Sequence, residues 1–464
     1  MTGFYAMFRR FILLFPLLLL AGCLNPAQYI RPDVPAGIAW PTTENTSQPT
    51  PVDEWWRSFG DAGLNKLIPV VLAANNDLFA ASLRARRALL DADSTNLNAI
   101  PQFNGTTSLS GSKQLQGQPS SRSVSSSLGL SYDLDLWGKL AAKRDMAAWE
   151  ATATREDREA MRLTVIANTM TAWWQLAHTN QTIRSAESSL AVARRIQSIV
   201  NTKIAAETAS DLEASQATYS INMQLAALES LKLQRDRQRV ELAVLLNGAN
   251  SPAPEPTRLP SSSLPPLQPG LPASLIGRRP DLRAGELRLR SALRNVDEKK
   301  ASFYPSIPLT GSLGTSSRDL ANFLANPVGS LGASTALPFL NVADMKLQIR
   351  VSEVQYEAAV TAFRGAMLTA LSEVANGIAA RQSYQRQAVH LARALATQRR
   401  VEALYETQFK EGSISLQPLL DAQERTRSAQ TAVIDLALKR LLNEATLYRA
   451  LGGTPSPASS VMAP

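Results

Sequence analysis

A mixed α and β protein with an internal two-fold repeat, and strands patterned as a membrane barrel's or as half-buried soluble ones, is the fold class that three features of this 464-residue chain predict. Residues 77–112 and 281–316 match each other without a gap at an offset of 204 residues. Asp77 pairs with Asp281, Leu78 with Leu282, Arg84 with Arg288, Ala88 with Ala292, Asp93 with Asp297 and Pro101 with Pro305. Such a long period marks two copies of a supersecondary unit rather than a solenoid of small repeats. In both copies the pattern changes at the proline into Ser-, Thr- and Gly-rich alternation of period two. Long stretches with little or no Pro or Gly follow, each too long for an ordinary globular helix.

The totals narrow the class. A content of 45% hydrophobic and 19% charged residues fits a folded chain. One cysteine excludes an intrachain disulfide, and two separated histidines argue against a histidine metal site. The net charge is +9, and about +7 without Arg9 and Arg10. No compact Lys/Arg run carries interleaved aromatics, which argues against nucleic-acid binding.

The N-terminus reads as an export signal over residues 1–22. Arg9 and Arg10 precede the apolar run Phe11 to Gly22, too short for a spanning helix. Leu20-Ala21-Gly22-Cys23 matches a bacterial lipobox, so Cys23 is the expected lipidation site; the bland alternative is a plain signal peptide with an incidental cysteine. Leu24 rather than Asp, by resemblance to bacterial lipoproteins, permits transfer to the outer membrane. No other cofactor is expected. Residues 23–60 form an extended tether, since Pro26, Pro32, Pro35, Pro41, Pro49 and Pro51 exclude a helix.

The first repeat is expected over 61–247. Ala62 to Asn98 reads as helical with an interruption at Pro69, and Asn75-Asn76-Asp77 offers a cap for the helix that follows. Pro101 stops it, and a hairpin is expected over 102–136 with its turn at Lys113 to Arg122. Leu128, Leu130, Tyr132, Leu134 and Leu136 alternate with small or polar residues, the pattern of a transmembrane β-strand. Periodicity alone fits a half-buried soluble strand equally well. Lys139 to about Lys203 contains no Pro or Gly and predicts roughly 100 Å of helix. A second helix is expected from about Ser210 to Leu246, stopping at Asn247-Gly248. His178 reads as a packed or surface residue, with no acidic or thiol partner spaced with it.

Residues 248–272 are a Pro-rich linker. The second repeat, 273–451, follows the same order: a helix from about Pro280 to Ala301, a hairpin over 306–339 with its return strand from about Val328 to Phe339, and a helix from about Met345 to Phe409 interrupted only by Gly365 and Gly377. Glu411-Gly412-Ser413 turns into a last helix that ends near Leu451. There Ile434, Leu438, Leu441, Ala445 and Tyr448 form a narrow seam for a neighbour. Residues 452–464 are a tail.

Four strands per chain cannot close a barrel, and lipid does not tolerate an open edge. Strands that cross a membrane must therefore come from several chains. Two chains would give eight strands and a filled interior; three would give twelve and room for a lumen.

The sequence resembles the outer membrane efflux proteins, in the lipoprotein branch. The resemblance rests on Trp55-Trp56 with Phe59, Asp61 and Leu64, on Ser131 to Lys139, on Arg278 to Ala292, on Phe303 to Gly314, and on Leu419 to Gln423. It implies a homotrimeric channel with a shared 12-stranded transmembrane β-barrel and a long periplasmic α-helical barrel. Its implied role is to pass drugs or other small toxic compounds outward. The implied partners are a periplasmic adaptor, an inner-membrane transporter of the RND type, and outer membrane lipid. The implied location is the outer membrane, lipid-anchored, with the helices in the periplasm.

The resemblance also places functional residues. Asp421 matches an acidic residue that rings the closed periplasmic mouth in relatives, where three carboxylates would attract cations. Gln417 falls where some relatives place an apolar ring, and Glu424 where an arginine is often seen. Glu207, Thr208, Ala209 and Ser210, with Gly412 and Ser413, fall at the adaptor-facing tips. Glu207 replaces the usual glycine. Read without the resemblance, Asp421 is an exposed helix residue. The rival class is a lipid-anchored structural or adaptor lipoprotein without a pore, which would have no use for the alternating strands. No enzyme motif is present.

Overall fold

The computed structural model of the chain describes residues 27–33, 54–112, 121–261, 264–265, 277–317 and 327–453. The expected signal peptide, Cys23, most of the hairpin turn at 113–122, the loop at 318–326 and most of the tail lie outside the described residues. The principal elements are α1 (Ala62–Ala74), α2 (Asn76–Leu97), β1 (Gln102–Ser112), β2 (Ser121–Asp133), α3 (Lys139–Ala205) and α4 (Asp211–Leu245). The order then repeats with α5 (Pro280–Ser302), β3 (Pro308–Ser317), β4 (Pro327–Ala333), α6 (Val342–Lys410) and α7 (Leu416–Ala450).

The chain divides into two compact units, and each draws on both repeats. One contains residues up to Asp33, Leu83–Glu156 and Arg283–Gly365; the other contains Val34–Ser82, Asp157–Leu282 and Ala366–Pro464.

The first unit holds the sheet. Its strands lie in the order β1-β2-β3-β4, all antiparallel, so β1 and β4 are the edges. Phe103 faces Leu130, Leu128 faces Leu313, and Gly311 faces Leu331. Because alternate side chains share a face, Phe103, Leu109, Val124, Leu128, Leu130, Leu309, Leu313 and Leu331 lie on one side of the sheet. Leu331 is 95% exposed and Leu109 76% exposed, so apart from the buried Val124 this apolar face has little cover among the described residues. The other face is a hydroxyl lattice. Thr106 and Ser127 hydroxyls lie 2.9 Å apart, Ser108 and Ser125 2.7 Å, and Ser312 and Ser330 2.7 Å.

Both hairpins are shorter than expected. β2 ends at Asp133, and Asp135 turns to cap α3, accepting from the Leu140 and Ala141 amides. The return strand of the second hairpin ends at Ala333 rather than Phe339. Further on, the Ser334 amide donates to the Pro308 carbonyl at 3.4 Å, Ala336 forms an isolated bridge to Ser306, and Pro338–Leu340 forms a 3-10 turn. Pro338 has no N–H for a ladder and a φ suited to a helical first position.

In the same unit α5 lies against the start of α3 through a descending series of ion pairs. Arg283 reaches Glu156 at 2.6 Å, Arg288 reaches Glu150 at 3.0 Å and Arg294 reaches Asp145 at 2.9 Å.

The second unit has an aromatic core. A 3-10 turn, Trp55–Phe59, buries Trp55, Trp56 and Phe59. Trp55 stacks on Tyr448 of α7 with centroids 5.3 Å apart, and Phe59 meets Trp174 of α3 at 5.2 Å. Asp61 caps α1 through the Gly63 and Leu64 amides and also accepts from Trp173 Nε1 at 3.0 Å. The spacing of the aromatic motif is therefore a packing requirement.

Three further expectations change. α1 continues through Pro69, which is exposed, and the break falls at Asn75, whose side chain accepts from the Asp77 and Leu78 amides. α6 continues through Gly365 and Gly377. A Cβ at Gly377 would stand 2.8 Å from Leu447 Cδ1, so this glycine lets α7 approach α6. His178, finally, does have an acidic partner: Asp435 Oδ1 lies 2.6 Å from its Nε2, brought by the fold from 257 residues away.

Candidate functional site

All the residues singled out for a mouth or a tip lie in the second unit, at the starts of α4 and α7. Leu416, Leu419, Ala422 and Thr426 are buried, and Gln417, Asp421 and Glu424 are exposed. The helical period alone accounts for this division. Leu416 and Leu419 join Phe409, Ile196, Val200 and Ala217 in a core cluster that holds the polar face in place. On that face Gln417 Nε2 donates to Asp421 Oδ1 at 2.8 Å. Glu424 pairs with Arg427 one turn on, which offsets part of the acidity expected of this face.

The two tips share one geometry. Glu207 has φ 56 and Gly412 has φ 77, both in the left-handed region. The amide after each closes on a carbonyl five residues back: Thr208 N donates to Lys203 O at 2.8 Å, and Ser413 N donates to Gln408 O at 3.0 Å. The side-chain hydroxyls of Thr208 and Ser413 donate to the same two carbonyls. Glutamate thus occupies the glycine conformation at the first tip, at a backbone cost of about 1–2 kcal/mol. Ala209 is half-buried, and the other named tip residues are exposed.

Two residues that the sequence reading passed over hold the tips together. Glu213 Oε2 accepts from Ser210 N at 3.2 Å, closing a capping box on α4. Its Oε1 accepts from Leu416 N at 3.2 Å, so the same carboxylate also caps α7, whose own N-cap Ser415 makes no side-chain bond. Lys203 Nζ donates to the Phe409 carbonyl at 2.6 Å and lies over the Phe409 ring at 4.4 Å. The Ser-x-x-Glu spacing signals the capping box; nothing in the sequence signals the second use of Glu213.

No cluster of three or more metal-ligating side chains occurs among the described residues. No described helix is long and apolar enough to cross a membrane.

Comparison with known proteins gives a consistent result. The family model for outer membrane efflux proteins matches residues 67–248 and 271–453, one match to each repeat. The chain is 27% identical over 440 residues to toxin and drug export protein A of Aggregatibacter actinomycetemcomitans, covering 94% of this chain and 95% of the relative. It is 28% identical over 460 residues to the pyoverdine export outer membrane protein OpmQ of Pseudomonas putida, covering 96% and 97%. Its fold matches the crystal structure of the open state of the MtrE outer membrane channel of Neisseria gonorrhoeae. The TM-score is 0.82 at 26% identity, over 93% of this chain and 98% of that one. The chain belongs to the outer membrane efflux protein family, whose members are channel proteins, and it is an outer membrane efflux component.

Proposed function

We propose that three copies of this chain form one conduit, with a shared twelve-stranded barrel in the outer membrane and a tube of helices in the periplasm. The observation that carries this reading is the sheet. Among the described residues it has two open edges, a largely exposed apolar face and a hydroxyl-rich opposite face. Apolar residues outward and polar residues inward is the arrangement of a water-filled barrel. Four strands are too few to close it, and twelve enclose a lumen.

The helices support the same assembly. On α4, Leu212, Tyr219, Leu233 and Val240 are exposed at multiples of seven residues, with Met223 and Val244 beside them. A sustained period of seven is the seam of a helix packed against another helix. Nothing among the described residues covers this one.

In this reading Asp421, with Gln417 and Glu424, constricts the periplasmic mouth, and three copies of the Asp421 carboxylate attract cations there. The tips at Glu207–Ser210 and Gly412–Ser413 receive a periplasmic adaptor. The adaptor joins the channel to an inner-membrane transporter, with the RND type proposed. Drugs or similar small toxic compounds pass outward. Cys23 carries the N-terminal lipid and is the sole covalent attachment proposed.

The test is electrophoretic and spectroscopic. The detergent-extracted protein is expected to run as a heat-modifiable trimer, to take up labelled palmitate, and to show β-structure that persists in detergent. A monomer without membrane β-structure would return the chain to the rival reading of a poreless structural lipoprotein.

A further inference from the structure

The order of the strands sets the order of the helices joined to them. α2 leads into β1, β2 into α3, α5 into β3 and β4 into α6. With the strands in the order β1-β2-β3-β4, the helices at their ends follow as α2, α3, α5 and α6. α3 and α5 therefore meet inside the chain, and α2 and α6 are left at the two open sides.

Both of these helices carry an unpartnered stripe. On α2, Ala92 is buried and Ala85 and Ala88 are half-buried, while Leu83, Leu90 and Leu97 on the opposite face are exposed. On α6, Ser352 and Phe363 are buried, while Leu347, Val354 and Thr361 on the opposite face are exposed. Each stripe recurs every seven residues, the spacing of a helix-to-helix seam. Beside the first stand Arg86 and Asp93, and beside the second Glu357 and Arg350, again seven residues apart. All four charges are exposed. Arg86, Asp93 and Glu357 have no side-chain partner among the described residues. Arg350 pairs with Glu353, one turn along its own helix, at 3.2 Å.

The α3·α5 contact supplies a template. Glu150 and Lys143, seven residues apart on α3, pair with Arg288 and Glu298 of α5 at 3.0 Å and 3.6 Å. α6 repeats that acid and base at a constant offset of 207 residues, as Glu357 and Arg350. α2 is the repeat of α5 and presents the opposite charges in the same order, the arginine before the acid.

We propose that α2 of one copy packs antiparallel on α6 of the next copy, in one register. Leu83, Leu90 and Leu97 lie against Thr361, Val354 and Leu347, and Arg86 and Asp93 meet Glu357 and Arg350. This register sets Leu97, the strand-side end of α2, level with Leu347 in the second turn of α6. On antiparallel helices so aligned, both charge pairs fall on the same side of the apolar stripe. The contact uses a different face on each partner, so it repeats head to tail and closes as a ring. It rests on the reading that copies of this chain share one barrel, and it names the residues that join them.

Cross-linking in the full chain, expressed in its membrane, tests the register. Leu90→Cys with Val354→Cys is expected to give disulfide-linked species that stop at the trimer. Leu90→Cys with Leu347→Cys sets the two positions seven residues, about 10 Å, out of step. That gap exceeds what a disulfide bridges, and no link is expected. Charge reversal tests the pairing. Arg86→Glu or Glu357→Arg alone brings like charges together at each contact and is expected to lower the dissociation temperature of the trimer on a gel by several degrees. The two together are expected to return it to that of the parent, which a role confined to one chain would not produce. No link between positions 90 and 354, equal linkage in the shifted pair, or additive losses in the double variant overturns this surface and leaves the parent's trimer standing. A parent that runs as a monomer, or links that stop at the dimer, overturns the shared barrel and the surface with it.

Discussion

Trp137 Nε1 donates to the Pro305 carbonyl at 2.7 Å, and its ring stacks on Tyr304 with centroids 5.0 Å apart. One residue ends the first hairpin and the other lies at the start of the second, so the two points where helix meets strand are pinned to each other. The backbone joins in: Leu134 N donates to Ile307 O at 3.4 Å. Trp137→Phe keeps a stacking ring and loses the hydrogen bond, an expected cost of about 1 kcal/mol. Trp137→Leu also loses the stack, a further cost of about 0.5–1.5 kcal/mol. Equilibrium unfolding in detergent, followed by far-ultraviolet circular dichroism, reads both, and equal losses for the two variants would refute the stacking contribution.

Asp421 is exposed on α7 and, among the described residues, is bonded along its own helix, to Gln417. Removing it should therefore change conduction without changing stability. Asp421→Ala is expected to raise passive conductance in planar bilayers and to reduce cation preference, with a thermal midpoint within the scatter of the parent. Unchanged conductance and selectivity would remove this residue from the mouth.

Glu444 introduces a pH dependence. It is fully buried on α7, paired with Arg381 of α6 at 3.1 Å, and Arg381 also donates to the Pro265 carbonyl. Burial pushes the Glu444 carboxyl up to about 7, against the opposing pull of Arg381 and Arg440. The unfolded chain releases this proton near the ordinary value of 4.5. Between those two values the folded chain holds a proton that the unfolded chain lacks, so stability falls as pH rises across the window and levels off above about 7. The full effect is of order 3 kcal/mol, at about 1.4 kcal/mol per pH unit. Glu444→Gln is expected to flatten the dependence, as read by urea midpoints from pH 4.5 to 7.5. A parent protein with a flat profile over that range would contradict the assignment.

The tips offer a matched pair of substitutions. Glu207→Gly relieves a left-handed glutamate and is expected to stabilise its turn by about 1 kcal/mol. Gly412→Ala meets no atom within 4 Å, so its expected cost of similar size comes from backbone conformation alone. Hydrogen exchange of the tip amides, Thr208 and Ser413, should move in opposite directions. Movement of both in the same sense would show that the turns are not equivalent.

Some of this was legible from the residues. The repeat, the prolines at the two junctions and the alternation that follows each specify helix, break and strand in order, because those signals are local. The apolar and hydroxyl faces of the sheet follow from the period of two. What was misread was also local in appearance but decided elsewhere. Pro69 sits on an exposed face, where a helix carries it. Gly377 sits under Leu447, where a helix needs it. Pro338 lies in a run that alternates like a strand but cannot extend the ladder.

The site divides in the same way. The exposed face of Gln417, Asp421 and Glu424 follows from helical spacing, and the capping box at Ser210 from its signature. The second bond of Glu213 to Leu416, the pairing of His178 with Asp435 and the grip of Arg31 on Glu286 each join residues more than two hundred positions apart. By itself the sequence determined which segments are helix or strand and which faces are apolar, since those depend on propensity and period. Only the tertiary structure decided which charges and amides meet, because buried polar groups take whatever partner the packing brings within about 3 Å.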